Sequence, residues 1–175
     1  MALTLDATVG GTAANTYQTR AEAVTLAGEV WPVADAFLTA APEDQDRALV
    51  AAAKLLQQMR YRGDRTAEDQ ALVWPRSGVV LHLDTTTEYG TATIPVPVKE
   101  AQMLLATHLL TQQALGVDGL GGDAAGVSSV NLGGLSVSFD AAASASPTAT
   151  YLTRVLRPLL GHLLRGGTQP RMVRG

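Results

Sequence analysis

The sequence predicts a mainly α fold: a small helical bundle with one or two β-hairpin excursions and extended termini. Three observations carry this. Apolar residues recur at helical spacing after Pro42, after Pro97 and in a leucine-rich stretch near the C-terminus. Between them, 64–97 and 127–140 are rich in β-branched residues and glycine, the second with a Gly-Gly pair at its centre. Both ends, 1–16 and 166–175, lack apolar periodicity. Residues 1–165 read as one domain and 166–175 as a flexible basic tail.

The elements follow in order. Residues 1–16 are rich in glycine and threonine and are expected to be extended. Thr19-Arg20-Ala21-Glu22 has the form of a capping box, in which the Thr19 hydroxyl accepts from the third helical N–H and Glu22 reaches back. Gly28 is the expected stop. A turn at Trp31-Pro32 and a short apolar piece, Ala36–Leu38, come next. In "APEDQDRALVAAAKLLQQMRYRG", Pro42 suits a first helical position, and Glu43, Asp44 and Asp46 face the positive end of the helix dipole. Leu49, Ala52, Ala53, Leu56 and Met59 form its apolar face, and Arg60 and Arg62 lie near its negative end before Gly63.

Residues 64–97 hold no long helix. "GVVLHLDTTTEYGTATIPVP" reads as a short hairpin or extended excursion with a Tyr-Gly turn. Pro97 then opens "VKEAQMLLATHLLTQQALG", with Val98, Ala101, Leu104, Leu105 and Leu109 on one face and Gly116 as its end. "GVDGLGGDAAG" is a glycine-rich connector. "VSSVNLGGLSVSFD" alternates on both sides of Gly133-Gly134, a hairpin signature, and carries no charge until Asp140, which leaves its edges poorly defended. After a small-residue linker, a last helix over about 148–164 carries Leu152, Val155, Leu156, Leu159, Leu160 and Leu163, with Pro158 expected to bend it.

Composition narrows the function classes. A net charge of −3 argues against broad, charge-driven DNA binding, although a local basic patch stays open. Only 5% of residues are aromatic and 17% charged, so core and surface are both lean. Cysteine is absent, which removes disulfides, thiolate metal sites and cysteine nucleophiles. No apolar run approaches the roughly 20 residues that span a bilayer, and the N-terminus lacks a secretory pattern. The expectation is a soluble protein made in the cytoplasm, with no membrane partner.

No chemistry of catalysis emerges. His82, His108 and His162 have no second histidine or carboxylate at the i+3 or i+4 spacing of a helical metal site. Ser77, Ser128, Ser129, Ser136 and Ser138 lack a nucleophile-elbow context. "GLGGDAAG" follows a helix and precedes a strand, the reverse of the order that aims helix amides at a phosphate. No catalytic, cofactor-binding or metal residue is assigned, and no cofactor is expected. The nucleic-acid candidates are Arg60, Tyr61, Arg62 and Arg65 in "MRYRGDR", with Trp74 and Arg76, since basic groups beside aromatics can hold phosphates and stack on bases. The other reading makes Tyr61 and Trp74 core anchors, with the arginines capping the helix and pairing with Asp64, Glu68 and Asp69. The scarcity of aromatics favours this second reading. In "DQALVWPRSG", Trp74, Pro75, Arg76 and Gly78 are then a structural motif: an apolar anchor, a fixed backbone, a partner for Glu68 or Asp69, and a turn.

The Tyr-Arg-Gly element, the following Asp-Gln-Ala-Leu-Val-Trp-Pro-Arg-Ser-Gly run and "IPVPVKEAQMLLATHLL" together resemble the tailed-phage head–tail connector proteins, also called adaptor or head-completion proteins. The likeness covers most of 1–165, and its specific part is Trp74–Gly78 with the helix start after it. It implies a virion protein at the head–tail interface. There a homo-oligomeric, twelve-subunit ring would bind the portal protein, meet tail or stopper proteins, and pass phage DNA through its channel without reading sequence. On that view Val130, Leu132, Leu135, Val137 and Phe139 of the hairpin form the subunit–subunit interface. Arg165, Arg171, Met172 and Arg174 of the tail bind the portal. Sequences of this pattern are also labelled DnaT-like single-stranded-DNA-binding domains, and a single-strand binder is the alternative expectation.

Overall fold

The computed structural model describes residues 3–30, 33–81, 87–114, 129–132, 135–138 and 150–165. Their order is α1 (Arg20–Glu29), α2 (Asp35–Thr39), α3 (Pro42–Leu56), strands β1 (Asp64–Arg65) and β2 (Arg76–Ser77), α4 (Val96–Ala114), strands β3 (Ser129–Leu132) and β4 (Leu135–Ser138), and a π-helical turn (Leu152–Leu156) running into α5 (Arg157–Leu160). The fold is mainly α with short antiparallel strand pairs, as the sequence predicts. Trp31, Pro32, His82, Gly116, Phe139 and the tail with Arg171, Met172 and Arg174 lie outside the described residues.

The central element is α4, which packs against α1, α2, α3 and α5. Val98, Ala101, Gln102, Met103, Leu105, Ala106, Thr107 and Leu110 are buried, so the single apolar face predicted for this helix is corrected to burial on several sides. Leu104 and Leu109 are only half-buried. α1 contributes just Ala23 and Ala27, a small stripe that brings its backbone close, and its capping box is present as expected. Its end passes Gly28 and falls at Glu29.

α3 stops at Leu56, short of the expected Gly63. Beyond it the chain is drawn into backbone pairing with the C-terminal segment: the Arg62 N–H donates to Leu163 O at 2.8 Å, and the Arg165 N–H to Arg60 O at 2.8 Å. These bonds compete with the helical ones and win, so Arg60 and Arg62 do not cap the helix. The C-terminal helix does not simply bend at Pro158. It widens into the π turn immediately upstream, which relieves the clash a proline ring would make with the carbonyl of Arg154. Leu156, Leu160 and Leu163 are fully buried, whereas Val155 is exposed, against expectation.

Residues 79–81 and 87–89 pair as the expected short excursion, with Leu81 N–H donating to Thr87 O and Tyr89 N–H to Val79 O, both at 2.8 Å. β3 and β4 pair antiparallel with Leu132 opposite Leu135, the register of the predicted Gly-Gly hairpin. The N-terminal stretch is not loosely extended. Asp6 and Asn15 close it into a loop, Asp6 N–H donating to Asn15 Oδ1 and Asn15 N–H to Asp6 O, each at 2.9 Å.

Buried carboxamides join the layers. Gln102 Nε2 donates to Thr16 Oγ1 at 2.7 Å and to Leu49 O at 2.9 Å, while its Oε1 accepts from the Tyr17 N–H at 3.2 Å. Gln18 Nε2 donates to Lys99 O at 2.8 Å, and Gln45 Nε2 to Phe37 O at 2.7 Å. Lys99 also reaches Glu22 at 2.6 Å; this ammonium, followed by the Thr19 N–H, holds the Glu22 carboxyl at about 2, below its ordinary 4.5.

Replacing Gln102 by leucine keeps the volume but leaves the Thr16 hydroxyl and Tyr17 N–H without these partners in the interior. The expected loss is about 2–4 kcal/mol, read as a lower urea midpoint at unchanged slope. An unchanged midpoint would show that the carboxamide is dispensable.

Candidate functional site

The loop from Tyr61 to Gly78 is built around Trp74, which is 1% exposed, and Tyr61, which is 3% exposed. Tyr61 meets Trp74 edge-on with ring centroids 5.6 Å apart, and Tyr89 meets it from another side at 6.4 Å. Burial drives the Tyr61 phenol far above its ordinary range. Both rings are therefore closed to solvent, and the stacking platform conceivable from "MRYRGDR" does not exist. The core-anchor reading of these two residues is the one the structure adopts.

Around the rings the polar groups serve the backbone. Arg76 was expected to pair with Glu68 or Asp69. Instead Nε donates to Arg62 O at 2.6 Å, Nη1 to Val73 O at 3.3 Å, and Nη2 to Gly63 O. Carbonyls turned inward by an irregular loop need donors, and the guanidinium fork supplies several from one side chain. Gln70, also buried, donates to Leu72 O at 2.7 Å and Pro75 O at 3.1 Å, and accepts from the Thr66 hydroxyl and the Ala67 N–H at 3.0 Å each. Arg65 donates to Gln70 O and Arg62 Nε to Leu164 O. Gly63 and Gly78 have φ of +66° and +71°; at Gly63 a Cβ would also run into the Ser77 carbonyl oxygen, so β1 and β2 could not close. The Trp74–Pro75 peptide is cis.

Three exposed arginines gather elsewhere. Arg60, Arg157 and Arg165 line a surface groove of about 560 Å³, and no carboxylate lines it. Met59, Leu152, Pro158 and Leu164 give it an apolar floor. The groove exists because the segment 163–165 pairs with 60–62 and lays the C-terminal helix beside the end of α3. Asp64 lies 4.0 Å from Arg165 with both side chains largely exposed, a contact too weak and too screened to neutralise the site. Arg20 and Arg47, by contrast, are paired with Asp46 and with Glu43 and Asp44.

Of the residues singled out from sequence, Trp74, Pro75, Arg76 and Gly78 come together as one structural unit. Arg60 and Arg165, assigned to different elements, meet in the groove. Arg157 was not singled out; its signal is its place on the face of the last helix away from the buried Leu156 and Leu160. His108 stacks on Tyr151 with centroids 4.2 Å apart and planes 10° apart, and burial lowers its pKa. Among the described residues no group of three histidine or acidic side chains could hold a metal ion, and no helix is long and apolar enough to cross a membrane.

The family model described as putative DnaT-like ssDNA binding protein matches residues 1–175. No curated protein and no solved structure matches the chain.

Trp74→Ala empties the largest fully buried site among the described residues and is expected to cost about 3–5 kcal/mol of unfolding free energy. Trp74→Phe keeps a ring, and because the indole Nε1 has no hydrogen-bond partner it should cost well under half as much. Chemical denaturation of both variants checks this; equal, small losses would place Trp74 outside the core.

Proposed function

The chain belongs to the putative DnaT-like ssDNA binding protein family, and from that premise we propose that it binds single-stranded DNA through phosphate contacts at Arg60, Arg157 and Arg165. The observation that carries this reading is that three exposed arginines line one groove that no carboxylate lines. Guanidinium forks match phosphate oxygens bidentately and stay charged at any working pH. With Tyr61 and Trp74 buried, affinity rests on charge and is expected to be weak. The function is one of binding, with no catalytic group assigned.

Fluorescence anisotropy with a labelled single strand tests the reading. The expected dissociation constant at physiological salt is micromolar or weaker, with a log–log salt slope of about −2 for three phosphates. Replacing Arg60, Arg157 and Arg165 by alanine together should remove most of that slope. Sub-micromolar, salt-insensitive binding that survives the triple substitution would overturn the proposal.

A second reading has its own observation in favour. Among the described residues β3 and β4 form a sheet of two strands only, leaving both outer edges without a third strand. A lone hairpin is marginal in water and gains from pairing with another chain. In a head–tail connector that chain is the neighbouring subunit of a ring. Val130, Leu132, Leu135, Val137 and Phe139 would lie at the contact, and the basic residues from Arg165 onward would face the portal protein in the virion. Deleting Val127–Phe139 is then expected to leave a folded helical monomer, by circular dichroism, that no longer assembles, by native mass measurement. Closed rings formed by the deletion variant would remove the hairpin from the assembly.

A further inference from the structure

We infer that the apolar floor of the arginine groove receives a nucleobase, so that the site takes a base together with its flanking phosphates and distinguishes an unpaired strand from a duplex. This rests on the proposed phosphate contacts and goes beyond them, because phosphates alone would not favour one form of DNA through its bases. Three features of the groove support it. Its volume of about 560 Å³ falls within the range that accepts a small molecule, well beyond what a phosphate contact requires. Its lining is largely apolar, with Met59 from the turn beyond α3 and Leu152 and Pro158 from the C-terminal helix, beside Thr153. Its charged groups, Arg60, Arg157 and Arg165, border this floor, so a strand held by its phosphates presents a base to it.

The floor has no aromatic ring, and a different contact takes the place of stacking. A thioether is polarizable and favourable against the face or edge of a ring. Met59 is also held in place, since the Tyr61 hydroxyl lies 3.8 Å from its sulfur as a donor. The buried Tyr61 thus serves the groove indirectly, by orienting the methionine. Leu152, Pro158 and Leu164 offer the base only hydrocarbon, while Thr153 is the one uncharged polar side chain of the lining. A duplex keeps its bases stacked inside and can satisfy only the arginines.

The test compares three labelled probes of equal length on the full chain at low salt: a mixed-sequence single strand, a strand of abasic tetrahydrofuran nucleotides, and a duplex. The intact strand is expected to bind about 2- to 10-fold more tightly than the abasic strand, the range of one sulfur–ring contact. Met59→Ser should abolish that preference while leaving the salt slope in place. Leu152→Ser, on the opposite wall, should reduce it and guards against a folding defect in the first variant. Equal affinity for intact and abasic strands, with a normal salt slope, would overturn the base site while sparing the phosphate contacts, and would leave the floor to an apolar side chain of an acidic protein partner. Absence of salt-dependent binding to every probe would overturn both.

Discussion

The architecture around the groove depends on one guanidinium. Arg76 gathers the carbonyls of Arg62, Gly63 and Val73, and so ties together the two sides of the loop between α3 and α4. That closure places Trp74 under Tyr61 and Tyr89, and it sets Arg62 to donate through its backbone to Leu163. The C-terminal helix is consequently held at the end of α3, and the groove is the space between them. A lysine at 76 would keep the charge but offer a single nitrogen at the end of a flexible stem, unable to span carbonyls fixed by the backbone. Desolvation lowers the Arg76 pKa, yet an arginine starts so high that it stays protonated, which is what lets this residue work in a half-buried position.

Most helices and the burial of Trp74 were legible because their signals are local. A capping box and a proline at a first helical turn act within a few residues, and both appear where their chemistry puts them. The misses share a cause in long-range bonding. α3 was expected to continue to Gly63 because propensity and Met59 allow it, but the competing acceptors, Leu163 and Leu164, lie far along the chain. Arg76 was assigned a carboxylate because Glu68 and Asp69 are its near neighbours, whereas the inward carbonyls that claim it arise only once the loop is folded. The face of α4 was drawn too narrow for a related reason. Sequence periodicity shows that a helix has an apolar side, but not how many neighbours surround it, and the buried Gln102 and Thr107 interrupt the pattern without leaving the core.

Net charge and local charge separate cleanly in this chain. The overall −3 arises from acids that are spent in part on helix starts: Glu22 answers Thr19 and Lys99, and Glu43 and Asp44 answer Arg47. Those ion pairs neutralise their own cations and leave Arg60, Arg157 and Arg165 as the field near the groove. Because the Debye length is about 8 Å at physiological salt, a polyanion at the groove responds to these near charges more than to the distant acids. A mildly acidic protein can therefore carry a usable phosphate site.

The two functional readings differ in what they ask of that site. A monomer acting alone on a strand would hold it with three arginines and one base contact, which gives weak binding and fast release. Subunits joined through their hairpins would present several such grooves to the same polymer, and each contact after the first would be made at a high effective concentration. Avidity then rises steeply while each individual contact stays weak. Weak contacts suit a protein that holds DNA without stopping its passage, since any single groove can let go while others remain engaged. Strong aromatic stacking would work against that, and here the rings beside the basic residues of the loop, Tyr61 and Trp74, are turned inward to build it. On the connector reading, the burial of those rings and the hairpin edges left without a third strand among the described residues would serve an assembly whose grip on DNA is distributed over many subunits rather than concentrated in one.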